Sequence, residues 1–159
     1  MQNLLLRIYS SKKASTSLKI ISHAAVVIYV TCFAAILIYT YMEKPWDAGM
    51  LLVFAAIPFV IVTLVRKFIN APRPYELYPF YKAPPKKKCG ESFPSRHVFS
   101  AFIIATLALS VSIPLAVALF FIGTALAIAR ILLGMHFIRD VLAGALIGII
   151  SGILGIIII

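Results

Sequence analysis

The stretch VFSAFIIATLALSVSIPLAVALFFIGTALAIA, residues 98–129, contains no charged side chain along its whole length. As one helix at ~1.5 Å per residue it would reach about 48 Å. The hydrocarbon core of a bilayer is only ~30 Å thick. Ser110, Ser112 and Pro114 interrupt it near the middle. It therefore reads as two short spans, Val98–Val111 and Pro114–Ala129, joined by a tight hairpin. Each is shorter than the ~20 residues a spanning helix needs, so their polar ends are expected below the head-group plane, in a cavity.

Further spans lie on both sides of this pair. A last one is expected over Val141–Ile159, with Gly144, Gly148, Gly152 and Gly155 three or four apart. That spacing puts small residues on one face, which favours close helix packing over substrate binding. Upstream, a first span is expected over Leu18–Tyr41. Tyr39, Tyr41 and Trp46 at its far end resemble an interfacial aromatic belt. After the turn Glu43-Lys44-Pro45-Trp46-Asp47, a second span covers Ala48–Val65 and stops at Arg66-Lys67. Residues 1–18 mix leucines with Arg7, Lys12 and Lys13, the pattern of an interfacial lead-in. Residues 68–96 hold Pro72, Pro74, Pro79, Pro84, Pro85 and Pro94. So many prolines exclude a spanning helix and predict a surface loop. The expectation is an all-α, integral membrane helical bundle of about five transmembrane helices, forming a single domain over 1–159.

Composition agrees. The chain is 62% hydrophobic and only 13% charged, with a mean hydropathy of +1.04. Soluble domains sit near ~45–50% apolar and ~25% charged. The first apolar run is longer than a signal-peptide core and lacks a small-residue cleavage site. Cys32 and Cys89 stand alone, in neither a disulfide framework nor a zinc spacing. The net charge of +10 points to anions. Nucleic acid is excluded as a partner, because most of the chain is apolar and within lipid. Membrane lipids or a phosphorylated substrate remain.

The placement of charge narrows this further. All basic residues except Lys44 fall in the amino-terminal lead, the 66–96 region or the 130–139 region. With five spans these share one membrane face. Arg66, Lys67, Arg73, Arg96, His97, Arg130, His136 and Asp140 thus gather at span ends, where ionisable groups are functional candidates. Snorkelling is the competing reading for Arg66, Lys67 and Arg139. For Lys86-Lys87-Lys88 it is a solvated or lipid-attracted run, and for His23 a structural role. A basic cluster with one nearby acid favours a phosphate oxyanion, whose oxygens match the guanidinium fork. Five acids in the chain supply no magnesium, calcium or zinc ligand set, so no metal and no cofactor is expected. His136 and Asp140 are four apart, and on a helix they would share a face. Asp140 could then fix the imidazole tautomer while the other ring nitrogen attacks phosphorus. His97 could act as proton donor.

Pro94-Ser95-Arg96-His97 resembles the second signature of the type 2 phosphatidic acid phosphatase superfamily. Arg130, His136 and Asp140, with five and three residues between them, resemble the third. Arg73-Pro74 resembles the end of the first. The three occur in the family's order. The resemblance implies that His136 is the nucleophile forming a phosphohistidine, Asp140 its orienting partner and His97 the donor to the leaving group. It also implies that Arg73 and Arg130 clamp phosphate, with Ser95 and the Arg96 backbone adding donors. Three positions depart from the pattern. The basic residue before Arg-Pro falls on Arg66 by register, with Lys67 next to it. Arg96 stands where the family usually has Gly, and is expected to narrow the pocket or add a phosphate contact. Ala129 replaces a Ser. The family's usual six spans would be five here.

The function expected is hydrolysis of a phosphate monoester or pyrophosphate on a membrane lipid, of the undecaprenyl pyrophosphate, phosphatidylglycerol phosphate or phosphatidate class. Phosphoryl transfer to another acceptor would use the same residues. A non-enzymatic protein binding anionic lipid is the third reading. The chain is expected to be multi-pass in the cell membrane. The positive-inside rule puts its basic face in the cytoplasm, whereas the resemblance points outward for many bacterial relatives.

Overall fold

The computed structural model describes residues 12–78, 81 and 89–159, with the side chain of Lys12 excepted. Expectations for residues 1–11, Pro79, Lys82, Pro84, Pro85 and the Lys86–Lys88 run lie outside the described residues. The rest form six helices: α1 (Lys12–Glu43), α2 (Pro45–Ile69), α3 (Pro74–Leu77), α4 (Arg96–Leu107), α5 (Ile113–Leu132) and α6 (Ile138–Ile158). Residues 12–18, expected in the lead-in, instead continue α1.

Four helices are long and apolar enough to cross a membrane, and the segment Arg96–Ser110 is a fifth, shorter apolar helix. The chain is thus a multi-pass integral membrane helical bundle. Large apolar side chains such as Val30, Ile38, Ile57, Val60, Leu146 and Ile157 are exposed along the flanks of the bundle. On helices of this length, such apolar flanks are what a lipid-facing surface requires.

The hairpin within the charge-free stretch forms as expected. Residues 108–110 tighten into a 3₁₀ turn. Ser112 then caps α5, its hydroxyl accepting from the Leu115 amide, with Pro114 in the first turn. There Pro has no intrahelical N–H to lose. One expectation needs correction: α5 is not short. It runs three residues beyond Ala129 to Leu132, because Arg130 is buried inside the protein and does not mark the water boundary.

α4 is the central helix, with Val98, Phe99, Ala105 and Leu107 fully buried. It packs mainly on α6 and next on α5. The glycine face of α6 makes the first contact possible. A Cβ on Gly144 would lie 2.6 Å from the Ser95 carbonyl oxygen, and one on Gly148 would lie 2.7 Å from that of Phe99. Both obstacles are backbone, so neither can yield. Gly152 meets Thr106, and Gly155 meets Leu107 and Phe54. On the other side, the Tyr29 hydroxyl of α1 donates to the Leu119 carbonyl of α5. α1 and α2 thereby close the bundle around α4, and the ends of α2, α4, α5 and α6 converge at one face.

Candidate active site

α2 ends in a left-handed residue, Asn70 (φ 43°), whose N–H returns to the Arg66 carbonyl. The Asn70 side-chain oxygen accepts from the Glu91 amide at 3.2 Å, which ties the end of α2 to the chain entering α4. Gly90 (φ +67°) sits against it, and a Cβ there would fall 2.0 Å from the same oxygen. The Gly90 carbonyl accepts from Arg73 Nε at 2.9 Å. Glu76 accepts from the Gly90 amide at 2.8 Å and from the Arg73 amide at 3.2 Å. This lattice holds Arg73, itself buried, by its Nε. Its two terminal nitrogens stay clear of that bond. The stretch 68–96 is therefore more than a surface loop: Arg73, Pro74, Tyr75, Ser92, Pro94 and Ser95 are buried within it.

Arg66 is buried and donates to the Pro94 carbonyl, beyond the cis Phe93–Pro94 bond. Lys67, expected as an alternative phosphate ligand, is exposed. One residue along a helix is a ~100° rotation, and that turns Lys67 away from the cluster. Ser95 precedes α4 but does not cap it with its side chain. Its N–H donates to the Asp140 carbonyl at 2.8 Å. Its hydroxyl is buried with no partner among the described residues, and the same is true of Arg130 Nε. Arg130 is anchored by one terminal nitrogen on the Met135 sulfur at 3.3 Å.

His136 and Asp140 do not share a helical face as expected. α6 begins at Ile138, so His136 lies in the connection before it, and Asp140 caps the helix by accepting from the Phe137 amide at 2.9 Å. The carboxylate stands 3.8 Å from His136 Nδ1, too far for a direct hydrogen bond. Ser92 lies between them. Its carbonyl is 2.8 Å from His136 Nδ1, and its hydroxyl donates to Asp140 Oδ2 at 2.5 Å. Nδ1 therefore carries the proton, and Nε2 keeps its lone pair. Burial holds His136 below the ordinary histidine range. The nearby Asp140 carboxylate opposes that shift, and the charges of Arg73, Arg66 and Arg130 add to it. The ring is neutral at pH 7.

His97, in the first turn of α4, stands within electrostatic reach of Arg130, His136, Arg96 and Arg66. The first amides of α4 have no intrahelical partner and favour an anion. Arg96 departs from expectation. Its guanidinium lies over the Phe59 ring at 5.4 Å and faces, with His97, a cavity of about 230 Å³ between α1, α2, α4 and α5. None of Arg66, Arg73, Arg130 or His136 lines that cavity. His23, away from all this, bonds to its own helix through the Lys19 carbonyl.

The structure thus brings together Arg66, Arg73, Ser95, His97, Arg130, His136 and Asp140, and leaves Lys67 outside. Sequence reasoning missed Ser92, Glu76 and Gly90. Ser92 had one available signal, a hydroxyl two residues before Pro94. Among the described residues no group of three or more His, Cys, Asp or Glu is placed to hold a metal ion.

Residues 47–159 match the PAP2 superfamily, and the chain belongs to it. The crystal structure of Aquifex aeolicus LpxE superposes with a TM-score of 0.71 at 26% identity, covering 98% of this chain and 93% of that one. A transmembrane PAP2-type phosphatidylglycerolphosphate phosphatase from Bacillus subtilis superposes with a TM-score of 0.72, covering 99% and 85%. At 20% identity, the second likeness is one of fold. No curated protein sequence matches the chain significantly.

Proposed function

We propose that this PAP2 superfamily protein is a metal-independent lipid phosphatase that works through a phosphohistidine. Family membership supports the coarser statement, a membrane lipid phosphatase. The finer mechanism rests on one observation above all: of the three atoms in the cluster around His136 that are buried without a hydrogen-bond partner among the described residues, Ser95 Oγ, Arg130 Nε and Asp140 Oδ1, the first two are donors. Buried donors without partners are rare and costly, and a phosphoryl group would satisfy both.

In this reading the lipid phosphate docks on Arg66, Arg73, Arg130, Ser95 and the first amides of α4. His136 Nε2 attacks phosphorus as the bond to the lipid oxygen breaks. His97 gives that oxygen a proton, and the phosphate's negative charge beside it favours the protonated imidazole. Water then attacks the phosphohistidine, the P–N bond breaks and the water proton passes to His97. Asp140 acts on His136 through Ser92, holding Nδ1 as the donor. The substrate classes are undecaprenyl pyrophosphate, phosphatidylglycerol phosphate and phosphatidate.

The test is phosphate release from a lipid phosphate in detergent. His136→Ala is expected to lower kcat by about 10⁴-fold or more, as loss of a nucleophile does, and His97→Ala by about 10²–10⁴-fold. Undiminished release by both variants would end this reading. Protease cleavage within 75–92 in sealed inside-out vesicles would place the site on the cytoplasmic side, as the basic-residue bias favours. Cleavage only in right-side-out vesicles would place it outside.

A further inference from the structure

We propose that Arg96 sets substrate preference by holding the second phosphoryl group of a diphosphate lipid, the one that departs with the lipid. This rests on the phosphatase reading above.

Apart from Ser100, the cavity that Arg96 and His97 share is walled by apolar groups, among them Val30, Phe59, Ile104, Leu126 and the Tyr29 ring. Among the described residues the Arg96 side chain makes no hydrogen bond and no ion pair; its guanidinium rests on the Phe59 ring. A part-buried guanidinium facing a largely apolar cavity is costly to keep without a counter-charge. A π-face offsets only part of that cost. The phosphate cluster is elsewhere, since Arg66, Arg73, Arg130 and His136 do not line the cavity. His97 belongs to both places: it faces the cavity, and it follows by two residues Ser95, whose amide bonds the Asp140 carbonyl at 2.8 Å. A substrate whose scissile oxygen meets His97 therefore directs its transferred phosphoryl group to the cluster. The next atoms along the lipid enter the cavity beside Arg96.

In a monophosphate lipid those atoms are carbon, and Arg96 gains nothing. In a diphosphate lipid they are a second phosphate. His136 Nε2 forms its bond to the terminal phosphorus, and the bond from that phosphorus to the bridging oxygen breaks. The electron pair stays on the bridging oxygen, which leaves as part of a lipid monophosphate. A phosphate monoester has its second pKa near ~6, so this leaving group departs as a stable anion. It needs a cation more than a full proton. A planar fork of donors suits that role better than the glycine the resembled motif carries at this position.

The experiment uses the full chain in detergent micelles with two probes, a prenyl diphosphate and the prenyl monophosphate of equal chain length. The kcat/KM ratio is measured for the native protein, Arg96→Gly, Arg96→Gln and Arg96→Lys. The native protein should favour the diphosphate. The Gly and Gln variants should each lower the diphosphate-to-monophosphate ratio by about tenfold or more, as loss of a charged hydrogen bond does, and Lys should restore part of it. The ratio is internal to each variant, so a loss of folded protein does not mimic the effect, and Gln serves if Gly does not fold. A ratio unmoved in both variants overturns the proposal. So does an equal loss on both probes, which would assign Arg96 to general lipid anchoring, and so does a native protein without preference. A native protein inactive on both probes but active on phosphatidate or phosphatidylglycerol phosphate overturns this proposal alone, whereas one inactive on all four lipids overturns the phosphatase reading, which separates the two failures.

Discussion

The two ends of the bundle are built on different rules. At the site end, Asn70, Gly90, Glu91 and Gly134 all adopt positive φ, and they are the only such residues among those described. Buried there too are Arg66, Arg73, Arg130, His136 and Asp140. At the opposite end the chain turns with ordinary devices: Pro45 opening α2, Ser112 capping α5, and a pair of the exposed Lys44 with the part-buried Asp47 at 3.6 Å. Irregular backbone at membrane depth is tolerated where protein satisfies it. Here the protein does so only where charge must be held inside. Left-handed residues cost energy that the surroundings must offset, so their confinement to one end marks where the fold has given up stability for geometry.

The sharpest way to break this contrast is at the Ser92 relay. Asp140→Asn keeps the volume but can present N–H groups to the Ser92 hydroxyl, which removes the acceptor that orients it. It is expected to cost about 10²–10⁴-fold in kcat, by analogy with the loss of a carboxylate that fixes a histidine tautomer. Ser92→Ala leaves the Ser92 carbonyl in place to hold Nδ1, and should cost less, about 10–10²-fold. If the Asp140→Asn variant matched the native protein in activity, Asp140 would be a helix cap and nothing more.

The second largest effect falls on stability. Gly148→Leu would drive a side chain into the Phe99 carbonyl of α4, where even a Cβ comes within 2.7 Å. Overpacking costs about 1–3 kcal/mol when neighbours can shift, and backbone cannot. Thermal unfolding in detergent should show a loss at or above that range. A midpoint equal to native would mean that α4 and α6 do not pack as described.

These two regions also differ in how legible they are in the sequence. The α4–α6 seam could be read directly, because a glycine every three or four residues leaves an apolar helix with a smooth face suited to close packing. The spans and the hairpin at Ser110–Pro114 were equally open, since apolar length and proline placement follow from the solvent. At the site, residue types were legible and connections were not. The four-residue spacing of His136 and Asp140 suggests a helical pair, yet α6 starts between them, and a serine 44 positions earlier in the chain joins them. Lys67 and Arg66 are indistinguishable by charge, and only the rotation of α2 separates them. Gly90 and Glu76 gain their roles from a loop closure that no local pattern encodes.

A smaller effect concerns pH. Burial pulls His136 below ~6.5, its ordinary value, and attack requires the neutral ring. The acid limb of kcat/KM, which reports the free enzyme, should therefore bend below pH ~6.5. The sign for stability follows the same direction: the unfolded chain binds this proton first, so acidification through ~6.5 should favour unfolding. An acid limb above that value would place His136 in a far more polar setting than the one described.

The smallest expected effect is at the opposite end. The Lys44 side chain is 75% exposed where it meets Asp47, itself 19% exposed, and with the ammonium in water such a pair stays near the ~0–1 kcal/mol of surface ion pairs. Lys44→Ala should therefore leave phosphate release at its native rate and shift the unfolding midpoint little, even at low salt, where screening is weakest. The same removal of one positive charge at Arg73 or Arg130 should abolish most activity. If Lys44→Ala instead lowered kcat/KM as those do, the far end would be coupled to catalysis through α2, which begins beside Lys44 and ends at the Arg66 turn. The division of the bundle into a working end and a supporting end would then be false.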